Sequence, residues 1–155
     1  MNNRLRAQTP FLCVWLILLL VLPTGTIEIA AAQGKTEKSY NATLTDSSGV
    51  DIEVKNLVFY WEEKVSETAF VPHELRHVPV KRGNATVNVK FETIKQIELK
   101  PGTDKGLPIL TVTLASGKTG EFTLAIAGNF RGLVADFGEN EVEIPAVGVK
   151  KVQFK

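Results

Sequence analysis

Apolar and polar residues alternate along most of the chain after residue 38. The segment DIEVKNLVFYW has apolar residues at every second position with one slip after Val54, and ATVNVKF, ILTVTLA, EFTLAIA and EVEIPAV continue the pattern. Strict alternation, with many β-branched and aromatic residues, is typical of strands that have one buried and one solvated face. The sequence therefore predicts an all-β protein.

Short turn signals separate these segments. Glycine stands with serine, asparagine or aspartate in SSG, RGN, PGTDKG, SGK, AGN and FGEN. Glycine adopts positive φ, and asparagine and aspartate tolerate it, so each signal is expected to form a hairpin or a bulge. GNFRG and DFGEN are likewise interpreted as hairpin turns. We expect about nine or ten short antiparallel strands in a small β-sandwich or a closed barrel.

One pattern of fourteen positions occurs twice. VNVKFETIKQIELK, residues 87–100, aligns without a gap to VEIPAVGVKKVQFK, residues 142–155, and TLTDSSG resembles TVTLASG upstream of the two copies. Each copy is expected to form a strand, a short corner and a second strand. The sequence therefore predicts two quasi-repeated meander units, at about 43–99 and 111–154, whose apolar faces cover each other.

The N-terminal segment has the features of a secretory signal. Arg4 and Arg6 precede an apolar run from Phe11 to Pro23. This run is too short for a membrane-spanning helix, which needs about 20 apolar residues. A positive segment followed by such a run is typical of a signal peptide.

The small-x-small pattern of Ala30 and Ala32 predicts cleavage before Gln33. The domain prediction is thus a cleaved signal at 1–32, a flexible lead at 33–38 and one all-β domain at 39–155. We expect an exported protein, periplasmic or extracellular, with no stable membrane anchor after cleavage.

Charge and cysteine content exclude several classes of function. Cleavage removes Arg4, Arg6 and Glu28, which leaves the basic and acidic residues in balance. A neutral surface with interspersed charges offers no broad footprint for nucleic acid. Cys13, the only cysteine, lies in the predicted signal, so disulfides and cysteine-based metal sites are not expected in the mature chain.

The string HELRH, residues 73–77, matches the HExxH pattern of zinc metalloproteases. On a helix this spacing places two histidines on one face to bind zinc, and the glutamate acts as a general base. His73 and His77 are the only histidines and the only metal-ligand candidates, with Glu74 as the candidate base. A zinc-dependent hydrolase is therefore an alternative function.

Flanking prolines argue against this alternative. Pro72 and Pro79 enclose the motif, and the residue before a proline is pushed toward extended geometry. Arg76 places a charge inside the motif, and no third histidine is available for a catalytic site. We expect a polar loop or an edge strand here, without a cofactor and without catalysis.

The aromatic residues Tyr60 and Trp61 precede an insertion, residues 62–81, that is present in the first unit alone. On a strand, Phe59 and Trp61 share one face and Tyr60 takes the other. Trp61 is expected in the core, whereas Tyr60 is either a core residue or a platform for a sugar ring.

The sequence predicts a binding or scaffolding module, because recognition in rigid β-domains concentrates on the longest loops. The expected contact surface is the insertion with five candidate residues: Tyr60, Trp61, His73, Arg76 and His77. The partner is an unknown protein or glycan, and a carbohydrate-binding module is a further alternative.

Overall fold

The structure is a computed structural model that describes residues 38–103, 106–136, 138 and 140–155. The predicted signal at 1–32 and all but the last residue of the lead at 33–38 lie outside the described residues.

Eleven strands and two short 3-10 helices form the described part of the chain. The strands are β1 (Ala42–Asp46), β2 (Asp51–Lys64), β3 (Phe70–Leu75), β4 (His77–Arg82), β5 (Ala85–Lys90), β6 (Ile94–Lys100), β7 (Ile109–Leu114), β8 (Thr119–Leu124), β9 (Asn129–Val134), β10 (Glu141–Pro145) and β11 (Val149–Phe154). The 3-10 helices are η1 (Phe91–Thr93) and η2 (Ala146–Gly148). Among these residues no helix is long and apolar enough to cross a membrane.

The strands form one antiparallel sheet. Its order is β10-β9-β2-β1-β11-β6-β7-β8-β4-β5, and β3 pairs with β2 outside this order. The sheet is not closed into a barrel. The all-β prediction is confirmed, with eleven strands instead of nine or ten, and of the two predicted arrangements only the sandwich is consistent with an open sheet.

The two predicted units have equivalent strand pairings. Ile97 of β6 pairs with Val152 of β11, and these residues occupy the same position in the two copies of the sequence pattern. Ile97 also pairs with Val112 of β7, and Val152 pairs with Leu44 of β1. The registers are thus related by an approximate twofold axis through the Ile97–Val152 pair. An origin by duplication stays a prediction.

The equivalence extends to the corners and the turns. η1 and η2 fall at matching positions, and each is followed by a residue whose N–H bonds back to the first carbonyl of the 3-10 turn. The β1–β2 and β7–β8 turns end in Gly49 and Gly117, with φ of 86° and 85°. β2 pairs with β9 of the other unit, and β4 pairs with β8 of the other unit. Neither unit therefore covers its apolar face alone.

The core lies on the inner face of this sheet and is built from the alternating residues. Phe59 and Phe130 are fully buried and meet edge to face, with ring centroids 5.6 Å apart. The slip after Val54 coincides with a bulge between Lys55 and Val58, where Asn56 has a φ of 54°. The bulge returns Leu57 and Phe59 to the core side. Burying each large apolar side chain stabilises the fold by roughly 1.5–3 kcal/mol.

Two expectations were wrong. GNFRG does not form a turn: Asn129–Val134 is strand β9, which lies between β2 and β10. Val87, assigned to the core face by its alternation with Val89, is 38% exposed. It lies on β5, which ends the sheet, so only one neighbouring strand shields it.

Candidate functional site

The predicted insertion is ordered as strands. β2 pairs with β9 as far as Tyr60, and its last residues, Trp61 to Lys64, pair with β3 alone. Together with β3 they form a two-stranded extension of the sheet, which we call the ribbon, residues 61–74. The corresponding connection in the other unit, between β8 and β9, is only residues 125–128. The ribbon is therefore an addition to the shared architecture.

Tyr60 lies at the base of the ribbon, on the outer face of the sheet. The guanidinium carbon of Arg131 is 3.6 Å from the centroid of the Tyr60 ring, and Tyr60 is 8% exposed. The phenol donates a 2.5 Å hydrogen bond to Oε1 of Glu62. This bond, followed by desolvation and the charge of Glu62, raises the pKa of Tyr60 above its usual value, whereas Arg131 acts in the opposite direction. Tyr60 is thus a largely covered side chain whose hydroxyl is bonded to Glu62.

Arg131 is fixed by carboxylates on both sides. Its Nε and Nη2 donate to Oε2 of Glu143 at 2.9 and 2.8 Å. Glu141 lies 2.9 Å from Nε, and Glu74 of β3 lies 3.7 Å from Nη1. The hydrogen bonds from Arg131 lower the pKa of Glu143, and those same bonds raise the pKa of Arg131. Asn129 also donates to Glu143.

Several of these side chains line a shallow polar cavity of about 470 Å³ on the outer face. Tyr60 and Trp61 from β2, Asn129 and Arg131 from β9 and Glu143 from β10 contribute to its wall. Its charged groups are paired with one another, which favours a rigid recognition surface.

Trp61 and His73 stack across the ribbon. They are directly paired on β2 and β3, and their rings are nearly parallel with centroids 4.6 Å apart. Nε2 of His73 lies 3.2 Å from Oε2 of Glu63. Trp61 also packs against the edge of the core cluster. This stack covers one face of each ring.

The HELRH residues do not form a helix. His73 and Glu74 belong to β3, His77 begins β4, and Arg76 is the only residue between these strands. Because β3 pairs with β2 and β4 pairs with β5 and β8, the two histidines have different neighbours: His73 faces Trp61, and His77 pairs with Lys90. The helical spacing that motivated the zinc hypothesis is absent.

Arg76 and His77 support the corner between β3 and β4. Nη1 of Arg76 donates to Oδ1 of Asn56 at 2.9 Å and to the Leu57 carbonyl at 3.5 Å, which ties the corner to the β2 bulge. His77 is half-buried, and this burial lowers its pKa. Within the part of the chain that the structure describes, no group of three or more histidine, cysteine or acidic residues is placed to hold a metal ion.

Of the five candidate residues, the structure brings Tyr60, Trp61 and His73 together at the ribbon, and it places Arg76 and His77 at the adjacent corner. Sequence reasoning missed Arg131, because the GNFRG string that contains it was interpreted as a hairpin turn. A signal existed nearby, since Glu141 and Glu143 alternate with Val142 and Ile144 and so predict a solvated acidic strand face. No protein-family model, curated protein or solved structure matches this chain.

Proposed function

We propose that this chain is an exported, non-catalytic binding module that contacts a partner protein through the ribbon. The observation that carries the proposal is the ribbon itself: a two-stranded element with apolar side chains in solvent, present in one of two otherwise equivalent units. An isolated hairpin is marginally stable in water. Retention of such an element is easier to explain if a partner covers it.

The exposed apolar residues cluster at the end of the ribbon. Val65, Phe70 and Val71 are 56%, 53% and 41% exposed. Phe70 and Val71 pair with Lys64 and Glu63, so they lie at the end of the ribbon far from the β9 junction. Phe70 and Val71 are successive residues of β3, so they present apolar surface on both faces of the ribbon. Exposed apolar surface of this kind commonly marks an interaction site on a soluble protein. These three side chains are the proposed anchors.

The charge of the ribbon defines the kind of partner. Glu62, Glu63, Glu67 and Glu74 lie on it, against a single Lys64. Charged groups around an interface are arranged so that opposite potentials meet. The fitting partner surface is an apolar pocket with lysine or arginine at its rim.

The ring contacts weigh against the carbohydrate alternative. A sugar-binding platform needs an open aromatic face, but Arg131 lies over the Tyr60 ring and His73 covers one face of Trp61. The extended geometry of residues 73–77 likewise weighs against the hydrolase alternative. Absence of catalysis is part of the proposal.

A site-specific photocrosslinker tests the proposal. A benzophenone side chain at position 70 should crosslink one predominant protein in the exported fraction of the source cells. The same group at Val147, which is 66% exposed on the body of the domain, serves as the matched control. We expect excess unlabelled wild-type protein to compete with crosslinking, and a Phe70→Glu, Val71→Glu variant not to compete.

Equal crosslinking from positions 70 and 147, or full competition by the double variant, would contradict the proposed role of the ribbon. The circular dichroism of the double variant serves as a folding control, because both replaced side chains point into solvent.

A further inference from the structure

A second site lies between β5 of the first unit and β7 and β8 of the second, and none of its lining residues belongs to the ribbon. A groove of about 460 Å³ runs between β5, β7 and β8. Its walls are the apolar side chains of Val87, Val89, Val112, Leu114 and Phe122. This volume lies in the range of small-molecule sites, which are mostly apolar with a few polar groups that orient the ligand.

The approximate twofold axis relates the groove to a region of the sheet that carries different side chains. Gly120 of β8 pairs with Val112, and its counterpart Ile52 of β2 pairs with Leu44. Ile52, Val142 and Ile144 are partly buried against the core, whereas Val87 of the groove, the counterpart of Val142, is 38% exposed. One unit therefore carries a branched side chain where the other carries a hydrogen atom.

Phe122 lies over the missing side chain. A Cβ atom added to Gly120 would lie 2.8 Å from Cε2 of the Phe122 ring, which is too close. The glycine lets the ring lie against the β8 backbone as one wall of the groove.

Two lysines mark one end of the groove. Lys90 and Lys118 both line it, and none of the described residues that line it is acidic. Thr93 connects them: its hydroxyl donates to the Lys90 carbonyl at 2.8 Å, and its carbonyl accepts from the N–H of Ala115, in the turn that carries Lys118. Lys90 also lies 3.9 Å from Glu92, but both side chains are exposed, so this pair is weak. The positive end thus leads into an apolar channel toward Val87, about 10 Å along β5.

We propose that this groove binds a monomeric fatty acid, with the carboxylate at Lys90 and Lys118 and the acyl chain along Val89, Phe122 and Val87. The site is independent of the ribbon and of the function proposed for it. An anionic head is selected because, within the part of the chain that the structure describes, the two lysines are the only charged residues that line the groove. An unbranched tail is selected because the apolar walls continue in one direction.

Isothermal titration calorimetry with the purified protein tests the proposal. Laurate, kept below its micelle concentration, should bind with a stoichiometry of one. Decanoate and octanoate should bind progressively more weakly, by about fourfold for each methylene removed. Dodecyltrimethylammonium, which has a comparable tail and the opposite charge, should bind at least tenfold more weakly than laurate.

Two variants locate the site. Lys90→Glu with Lys118→Glu should weaken laurate binding at least tenfold without disturbing the fold, because these residues are exposed. Lys100→Glu with Lys150→Glu, exposed lysines outside the groove, is the matched control and should bind laurate as the wild type does. Gly120→Ile, which introduces the counterpart residue, should abolish binding.

The proposal is overturned if laurate gives no saturable binding, if the cationic amphiphile binds equally well, or if the Lys90 and Lys118 double variant retains full affinity. Binding to anionic lipid vesicles without binding to monomeric laurate would assign the lysines to a membrane surface and would also overturn it. If Gly120→Ile does not fold, the Lys90→Glu, Lys118→Glu double variant still decides the test.

Discussion

The guanidinium of Arg131 lies over the ring of Tyr60, while the Tyr60 hydroxyl donates to Glu62. These two neighbours act on the phenol in opposite directions, since Glu62 raises the pKa of Tyr60 and Arg131 lowers it. We expect Arg131→Gln to raise this pKa further and Glu62→Gln to lower it toward the ordinary value. The measurement is the phenolate absorbance during alkaline titration.

Only two tyrosines are present, so a Tyr40→Phe background isolates the Tyr60 signal. Because the folded-state pKa of Tyr60 is raised, the stability that its hydrogen bond supplies is present below the ordinary pKa and is lost as pH rises through the folded-state value. Shifts in the same direction for both variants would contradict the opposed roles of Glu62 and Arg131.

Glu143 gives the opposite pH dependence. Arg131 and Asn129 hold its pKa below the ordinary value, so its stabilising contribution is present above that value and lost as pH falls through the folded-state pKa. We expect Glu143→Gln to reduce stability at neutral pH by about 1 kcal/mol or less, since the site is partly exposed. The difference from the wild type should vanish in acid.

Urea denaturation midpoints between about pH 6 and pH 3 measure this effect. Glu121→Gln, on the exposed side of β8, is the matched control for the removal of one surface carboxylate. If the denaturation midpoints of the wild type and the Glu143→Gln variant still differ at the lowest pH, the Glu143 side chain acts by packing rather than by charge.

The alternation of apolar and polar residues predicted much of the fold. The pattern placed Leu57 and Phe59 in the core and located the β2 bulge, because a strand with one buried face must keep a period of two. The flanking prolines also indicated correctly that HELRH is not helical. Pro72 of β3 pairs with Glu62 of β2, and Pro79 lies buried in β4.

The turn prediction for GNFRG failed because the glycine at position 132 is required by a contact with another strand and not by a turn. In the sequence, Gly132 has the neighbours of a turn glycine. In the structure it is a strand residue that lies close to Val54 of β2. The role of Arg131 depends on Tyr60 and Glu143, which reach it only through the pairing of β9 with two strands. Such a cluster is invisible to a local window. Gly120 and Ile52 occupy equivalent positions opposite Val112 and Leu44, but alternation alone does not predict that the Phe122 ring lies over Gly120.

The hydrolase alternative has a direct test. Trp61 stacks on His73, so zinc binding at that histidine should perturb Trp61 fluorescence. We expect blue-shifted Trp61 emission that does not change with zinc, because the two histidines occupy different strand environments. Trp15 lies in the predicted signal, so protein beginning at Gln33 contains one indole.

The control is the His73→Ala variant with and without EDTA. A stoichiometric fluorescence change that EDTA reverses and His73→Ala abolishes would establish a zinc site. Peptide hydrolysis that is lost in Glu74→Gln would establish a hydrolase and end the non-catalytic proposal.

The contact between Gly132 and β2 predicts a specific cost of adding one methyl group. A Cβ atom at position 132 would collide with the Val54 side chain and lie 2.7 Å from the Lys55 carbonyl oxygen, which belongs to the paired backbone and cannot move freely. We expect Gly132→Ala to lower the free energy of unfolding by about 1–3 kcal/mol. Gly148→Ala is the matched control, because its nearest neighbour would be Cγ2 of Ile144 at 3.7 Å, an ordinary contact. That variant should stay within about 0.5 kcal/mol of the wild type in urea denaturation. Equal stability of the two variants would mean that β9 does not approach β2 as closely as the registered pairing requires, and the placement of Arg131 over Tyr60 would lose its structural basis.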